Sequence, residues 1–357
     1  MPDFAGITVA EAGEFTLIEA LASALPTSVL GDAIVQTGIG DDAAVWMPRP
    51  GAVSVVTTDS LIEGVHFRLD WTDWESLGFK MLAVNLSDIA AMGAAPRLVT
   101  VSLGLRGTEH VSDLQELYRG MGRLAAAHGV VIAGGDVVRS PERLMLGITA
   151  IGEVDADKVL RRSGAQVGDL IVVSGTLGAS AGGMEILLHP ERYRGLATTG
   201  LLVAAHLRPN PRLALGRLLA DAGATAAMDL SDGLLGDLPK ILKASGVRAR
   251  IDSRLIPVAP AMRALFPDRW LDLTMRGGED YELLVTIGEN RYEALAERAQ
   301  TIGATLSAIG TVEEGEPGIT VIGLDGMPSH VIAGAFDHFT QATNDCGGAG
   351  EDQDVGL

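Results

Sequence analysis

The sequence predicts an α/β protein of the α+β type, built as two α/β domains in tandem. Strand-like apolar runs alternate with helix-like stretches through most of the chain. A length of 357 residues exceeds what a single core usually serves. A polar basic segment, Arg161-Arg162-Ser163, interrupts the alternation near its middle, after which it begins again. With 47% of residues hydrophobic, both halves have enough apolar surface to bury a core, which excludes global disorder.

In the first half, the strand-like runs are 53–58, 98–105, 130–133 and 144–152, with helices expected over 74–92 and 112–128. The second half offers a strand at 170–174, helices at 179–188 and 211–222, a strand at 225–228, a helix at 233–245 and a strand at 282–287. The boundary falls between 155 and 164, giving an N-terminal domain 1–154 and a C-terminal domain 155–340. Residues 341–357 are rich in Gly, Asp, Asn and Gln with little to bury, and read as a disordered tail. The single cysteine, Cys346, lies in that tail, as an inert residue or as a thiol with a role of its own.

The net charge is −19, and the tail contributes only Asp345, Glu351, Asp352 and Asp354 to the acidic side. A general binder of the nucleic-acid backbone needs clustered Lys and Arg, so that class is excluded. One cysteine allows no intramolecular disulfide. The first fifteen residues carry Asp3, Glu11 and Glu14 with no Lys or Arg, and no apolar run reaches membrane-spanning length. A soluble, cytoplasmic protein is expected, without membrane or nucleic-acid partners.

Forty-five glycines, nearly twice the usual share of about 7%, gather in clusters after apolar runs: Gly38-Ile39-Gly40, Gly134-Gly135, Gly175 to Gly178 and Gly277-Gly278. Acidic residues accompany them. Asp41 and Asp42 lie in GIGDD, Asp59 follows SVVTT, Asp136 follows VVIAGG, and Asp229 and Asp232 lie in MDLSDG. Carboxylates at the ends of apolar runs are held rigidly yet left open to ligand by the loop beyond. Asp88 differs, because it interrupts the apolar helical pattern MLAVNLSDIAAMG, where an unpaired carboxylate is costly to bury. Any one of these residues alone reads equally as a helix cap or an Asx turn. Together, without a matching set of cations, they repel one another unless protons are shared or divalent cations bind. Hard oxygen ligands select Mg²⁺, which commonly bridges to phosphate.

The chain has no GxxxxGK[ST] loop, no kinase HRD or DFG set and no GxSxG elbow, and its one cysteine is in the tail. Covalent catalysis is not expected. SGTLG at Ser174 to Gly178 reads either as an anion cradle or as a turn that packs a helix on a strand.

The ordered motifs GEFTLIEAL, GIGDDAAV, TTDSLIEGVHF, KMLAVNLSDIAAMGA, AGGDVVRS, RRSGAQVGD, HLRPNPR, MDLSDGLLGDL and RGGEDYELL resemble those of thiamine-monophosphate kinases. This family lies within the aminoimidazole-ribonucleotide synthetase-like superfamily of ATP-using enzymes. The likeness spans residues 13–339. It implies direct transfer of the ATP γ-phosphoryl group to thiamine monophosphate, the last step of thiamine diphosphate biosynthesis, with several Mg²⁺ ions. The acceptor is already an anion, so screening of charge matters more than a strong base. Carried over by motif, Asp42, Asp59, Asp88, Asp136, Asp229 and Asp232 would be magnesium ligands, with Thr57 and Thr58 adding oxygens. Gly135, Asp136, Arg162 and Ser231 would contact ATP, and His66, Glu279 and Phe336 the thiamine phosphate. Other members often carry Tyr or Trp where Phe336 stands, which keeps stacking but alters any polar contact. The resemblance also implies a homodimer built on N-domain strands.

Without the motif context, His66 could be structural, Arg162 an ordinary surface residue, Phe336 a core plug, and Glu279 a partner of Arg276. Rival functions are a selenophosphate synthetase, which uses Cys or selenocysteine near its N-terminus, and a hydrogenase-maturation carbamoyl dehydratase, which ends in Cys. Cys346 stands in neither place. The purine-pathway amidine cyclo-ligase lacks the GEF and EGVHF contexts. A non-catalytic nucleotide-binding regulator on the same fold would have lost Asp ligands, and none is lost.

Overall fold

The computed structural model describes Phe4 and residues 6–331, so Phe336, Cys346 and the segment 341–357 lie outside the described residues. Helices α1 (Val9–Ala12) and α2 (Glu14–Ala24) come first; Thr8 and Glu11 cap α1 reciprocally. Strands β1 (Val35–Thr37) and β2 (Val45–Trp46) form a small antiparallel pair. There follow β3 (Ala52–Ile62), α3 (Trp74–Ala91), β4 (Ala95–Leu105), α4 (Val111–His128), β5 (Val131–Arg139) and β6 (Met145–Asp155). The four long strands make one sheet in the order β3-β6-β4-β5, parallel between β4 and β5 and antiparallel elsewhere.

Helix α3 is apolar on nearly every side, as a helix enclosed by other elements must be. Its N-terminus is set by Asp73, whose carboxylate accepts the Ser76 N–H at 2.7 Å. It crosses α4 at very short range. A Cβ at Gly78 would strike the Leu117 carbonyl, and one at Gly120 would strike that of Glu75. Glycine at these positions lets the two backbones touch.

The second half contains β7 (Asp169–Ser174), α5 (Ala179–Leu188), α6 (Thr199–Leu207), α7 (Leu213–Ala222), β8 (Ala226–Asp229), α8 (Leu234–Ser245) and β9 (Arg248–Asp252). It continues through α9 (Pro260–Leu265), α10 (Trp270–Arg276), β10 (Leu283–Gly288), α11 (Glu289–Thr301), β11 (Leu306–Glu313), β12 (Ile319–Ile322) and β13 (Pro328–Val331). Its sheet runs β13-β12-β9-β11-β7-β10-β8, and only β9 and β12 pair in parallel. Both faces are covered: Ile171 and Val173 join one apolar cluster while Val172 joins the other. That double burial explains why β7 reads as an unbroken apolar run. The cluster holding Val172 also contains most of α3, so the halves share a continuous core with α3 at its centre.

Several sequence expectations change here. The run 53–58 continues to Ile62, because every residue through Asp59 and Ser60 keeps its register with β6. The run 130–133 continues through Gly134, Gly135 and Asp136 to Arg139, paired with β4. Asp59 and Asp136 therefore stand within strands, not in loops beyond them. Helices α1, α2, α6 and α9 to α11 and strands β1, β2, β9 and β11 to β13 stand in addition to the elements the sequence predicts. Among the described residues no helix is long and apolar enough to cross a membrane.

Candidate active site

The edge strand β3, the last turn of α3 and the end of β8 meet where the two sheets adjoin. Thr57 and Asp59 alternate onto the face of β3 that looks at α3. The Thr57 hydroxyl donates to Asp88, and the Asp59 N–H donates to Asn85 Oδ1 at 3.1 Å. From the other half, Asp229 ends β8, and its carboxylate accepts the Ser87 hydroxyl at 2.7 Å. Burial pushes the Asp59 carboxyl up to about 6, and the charge of Asp88 adds to this. Burial pushes Asp229 up to about 7, reinforced by Asp88, Asp237 and Asp59. Burial raises Asp88 too, against the Thr57 hydrogen bond and the positive charge of Arg162. Three carboxylates thus destabilise one another in a half-dry junction, the electrostatic state that bound cations relieve.

The remaining acidic residues lie elsewhere. Asp42 is exposed on the loop between β1 and β2, where its N–H donates to Asp41 at 2.9 Å. Gly38 of the same loop approaches the Ala133 carbonyl, so this loop borders β5. Asp136 is exposed on β5, in register with Ser102 and, through Gly147, with Ser60. It faces away from α3. Thr58 also faces away, donating to the Ile148 carbonyl at 3.0 Å and accepting from Thr149, so its hydroxyl does not join that of Thr57. Asp232 accepts the Lys240 ammonium at 2.5 Å, and the same ammonium lies 2.8 Å from buried Asp237. Gly135 sits beside Val101 within the sheet. Among the described residues no three His, Cys, Asp or Glu side chains already converge as a ligand shell. The donor set still fits Mg²⁺, because Asp59, Asp88 and Asp229 supply hard oxygens only and lack an equal number of cations.

The motifs MDLSDG and RGGEDYE form one interlocked unit. Glu279 and Tyr281 donate their N–H groups to the carbonyls of Ser231 (2.8 Å) and Leu230 (2.9 Å), and Leu230 donates to Glu282 at 2.8 Å. A Cβ at Gly278 would collide with the Ser231 carbonyl, which explains the glycine. Glu279 and Tyr281 hold left-handed φ values of 65° and 51°, strain of order 1–3 kcal/mol each for residues with side chains. Asp280, between them, accepts N–H groups from Gly178 (2.6 Å) and Ser180 (3.2 Å). The SGTLG turn is therefore capped by the protein's own carboxylate and packs α5 onto β7; of its two readings, the packing turn describes it.

Glu279 is held by Lys80 of α3, whose ammonium lies 3.0 Å from Oε1, and lies 3.4 Å from the His206 ring. Arg276 instead pairs with Asp272 at 3.2 Å. Burial alone would raise the Glu279 carboxyl, but Lys80, His206 and His66 hold it below the usual carboxylate range. Burial and Lys80 push His206 down to about 4, so its ring is neutral at pH 7. His66 accepts the Ile62 N–H on Nδ1 at 3.0 Å, which places a neutral ring's proton on Nε2. His66, Lys80 and His206 line a narrow cleft together with Phe67, Trp71 and Leu77, and Glu279 lies beside it, against Lys80 and His206. The sequence reading names His66 and Glu279 and does not name the Lys80 and His206 that surround Glu279; a lysine inside an apolar helix is the available signal for the first. The HLRPNPR motif works mechanically. Arg208 donates to Ser76 Oγ at 2.8 Å, and Arg212 forks onto both oxygens of Glu282.

Residues 40–154 match the family described as AIR synthase related protein, N-terminal domain, and residues 166–322 match its C-terminal domain. A thiamine-monophosphate kinase of Salmonella typhimurium is 38% identical over 331 residues, covering 92% of this chain and 98% of the relative. The chain belongs to the thiamine-monophosphate kinase family. The thiamine-monophosphate kinase of Stenotrophomonas maltophilia K279a, a crystal structure, is similar with a TM-score of 0.79 and 39% identity, covering 89% of this chain and 98% of that one. The structure of AaThiL complexed with AMPPCP and TMP is similar with a TM-score of 0.70 and 32% identity, covering 89% of this chain and 94% of that one. Within this family fold, the acidic junction and the Glu279 cleft lie on neighbouring parts of α3, about two turns apart between Lys80 and Asp88.

Proposed function

We propose that this protein transfers the γ-phosphoryl group of ATP to thiamine monophosphate, giving thiamine diphosphate and ADP. The observation that supports the reading is the electrostatic coupling of Asp59, Asp88 and Asp229, drawn from both halves of the chain, in a kinase family with a solved relative, AaThiL, complexed with AMPPCP and TMP. Asp59, Asp88 and Asp229, with the Thr57 hydroxyl, would hold Mg²⁺. Bound Mg²⁺ supplies charge neutralisation at the phosphate oxygens. The protein's part is to fix these carboxylates on strand and helix backbones and to place Arg162 near Asp88, where it suits an ATP phosphate. Ser231 and Gly135 complete the ATP side. Glu279 and His66 address the thiamine end across the cleft, with Phe336 as a stacking partner. We further assign the ATP and magnesium site chiefly to the domain 1–154, with 155–340 supplying Asp229, Asp232 and the Glu279 cleft, and place the enzyme in the cytoplasm.

The same geometry supports a homodimer. Three strand spacings, about 14 Å, separate the β3 edge with Asp59 from the β5 edge with Asp136, and Asp42 borders the latter. One chain cannot gather all of these around one ion. The sheet face turned away from α3 exposes Val56, Val138 and Met145 among hydroxyl side chains, a face suited to a second copy. That copy would bring further aspartates toward the first site.

Purified protein with ATP and Mg²⁺ should convert thiamine monophosphate to the diphosphate and leave free thiamine unphosphorylated, read by mass spectrometry. Phosphorylation of thiamine without any of its monophosphate would sink the assignment.

A further inference from the structure

Lys80 is an anomaly in α3. Its side chain is 3% exposed, in a helix whose Leu77, Met81 and Val84 are buried as well, and its ammonium reaches across the junction of the two halves to a carboxylate 3.0 Å away. Replacing a buried ion pair by apolar groups of similar volume is often neutral or stabilising, so such a pair is weak evidence for stability and calls for another reason. Its partner, Glu279, is only part-buried, with 27% of its side chain exposed. Lys80 and His206, which line the cleft, hold that side chain beside it, and the backbone beneath is fixed in a left-handed turn by the bond to Ser231. His206 is itself oriented by Ser180 Oγ at 3.0 Å from its Nδ1. Orientation of one carboxylate from three elements, α3, α5 and α6, exceeds what packing of the GGED turn requires.

We infer that Lys80 is a positioning residue: it fixes the rotamer of Glu279 so that the carboxylate meets the cationic, amine-bearing thiamine end of the acceptor, and it ties that placement to the seating of the second half on α3. The inference rests on the reading that Glu279 contacts thiamine monophosphate. Lys80 acts through Glu279. Losing it lets the carboxylate rotate toward solvent and weakens binding of the acceptor while leaving ATP binding as it was.

Steady-state kinetics on the full chain test this with Lys80→Met, Glu279→Gln and the double variant. Lys80→Met should raise KM for thiamine monophosphate about tenfold, about 1.4 kcal/mol, with KM for ATP within roughly twofold. Glu279→Gln should raise the same constant, and the double variant should be no worse than Glu279→Gln by more than roughly threefold, the non-additivity of groups that act as one. If Lys80→Met lowers the melting temperature and leaves both KM values intact, or if the two single effects multiply, the positioning role is overturned. If Glu279→Gln leaves KM for thiamine monophosphate unchanged, the contact assigned to Glu279 fails first, and the inference with it. Lys80→Arg gives a second reading should Lys80→Met not fold. The charge stays but the geometry changes, so KM for the acceptor should rise at least about threefold with the melting temperature preserved; an unchanged KM overturns the inference.

Discussion

Replacing Asp280 by alanine would remove the anion that caps α5. Its two oxygens accept the Gly178 and Ser180 N–H groups at 2.6 and 3.2 Å, and the residue is half-buried. Burial pushes this carboxyl up to about 7, against the pull of the two N–H donors, so its charged form carries a desolvation cost that offsets part of the bonding. Alanine would leave two buried donors unsatisfied, at about 1–3 kcal/mol each, and would remove that desolvation cost. The net loss is about 2–4 kcal/mol, and at about 2–4 °C per kcal/mol for a unit of 150–250 residues the melting temperature should fall by roughly 4–16 °C. Asp280→Asn keeps one acceptor and should lose about half as much. Differential scanning fluorimetry and KM for ATP, measured on the same preparations, check this. A stable Asp280→Ala protein whose KM for ATP changes several-fold would refute the reasoning, because the turn's donors would then belong to a phosphate and not to the fold.

Asp88→Asn should lower turnover by orders of magnitude at saturating Mg²⁺ while leaving the melting temperature equal or higher, since a carboxylate that repels Asp59 and Asp229 is gone; a coupled ADP assay and a thermal melt measure both. His206 is neutral in the fold, with a pKa pushed from 6.5 to about 4, so the unfolded chain binds the extra proton between those values. Its contribution to stability is complete above pH 6.5 and is lost as pH falls toward 4. His206→Asn should flatten the fall of melting temperature over that window, and an unchanged slope would count against a buried neutral ring. Val56, 62% exposed on the outer face of β3, should tolerate lysine as a monomer; light scattering should show Val56→Lys dissociating a wild-type dimer, and a dimer that survives places the interface elsewhere.

Local chemistry was legible in the sequence wherever one element carried its own signal. The apolar pattern of 74–92 foretold α3, and Asp88 stood out because a carboxylate in such a helix needs a reason. The order of motifs pointed to the family, and the run 170–174 announced β7. What remained hidden depended on partners far away in the chain. Asp280 lies about a hundred positions from the SGTLG turn it caps, so that turn read equally well as a cradle. Lys80 and Glu279 meet only because α3 is enclosed by both halves. Thr57 and Thr58 are neighbours in sequence, yet the pleat sends one hydroxyl to Asp88 and the other to the opposite face. Composition and periodicity report what a residue prefers near itself. Which carboxylates share a site is decided by sheet register and by the seating of β8 against α3, where burial and mutual repulsion first arise.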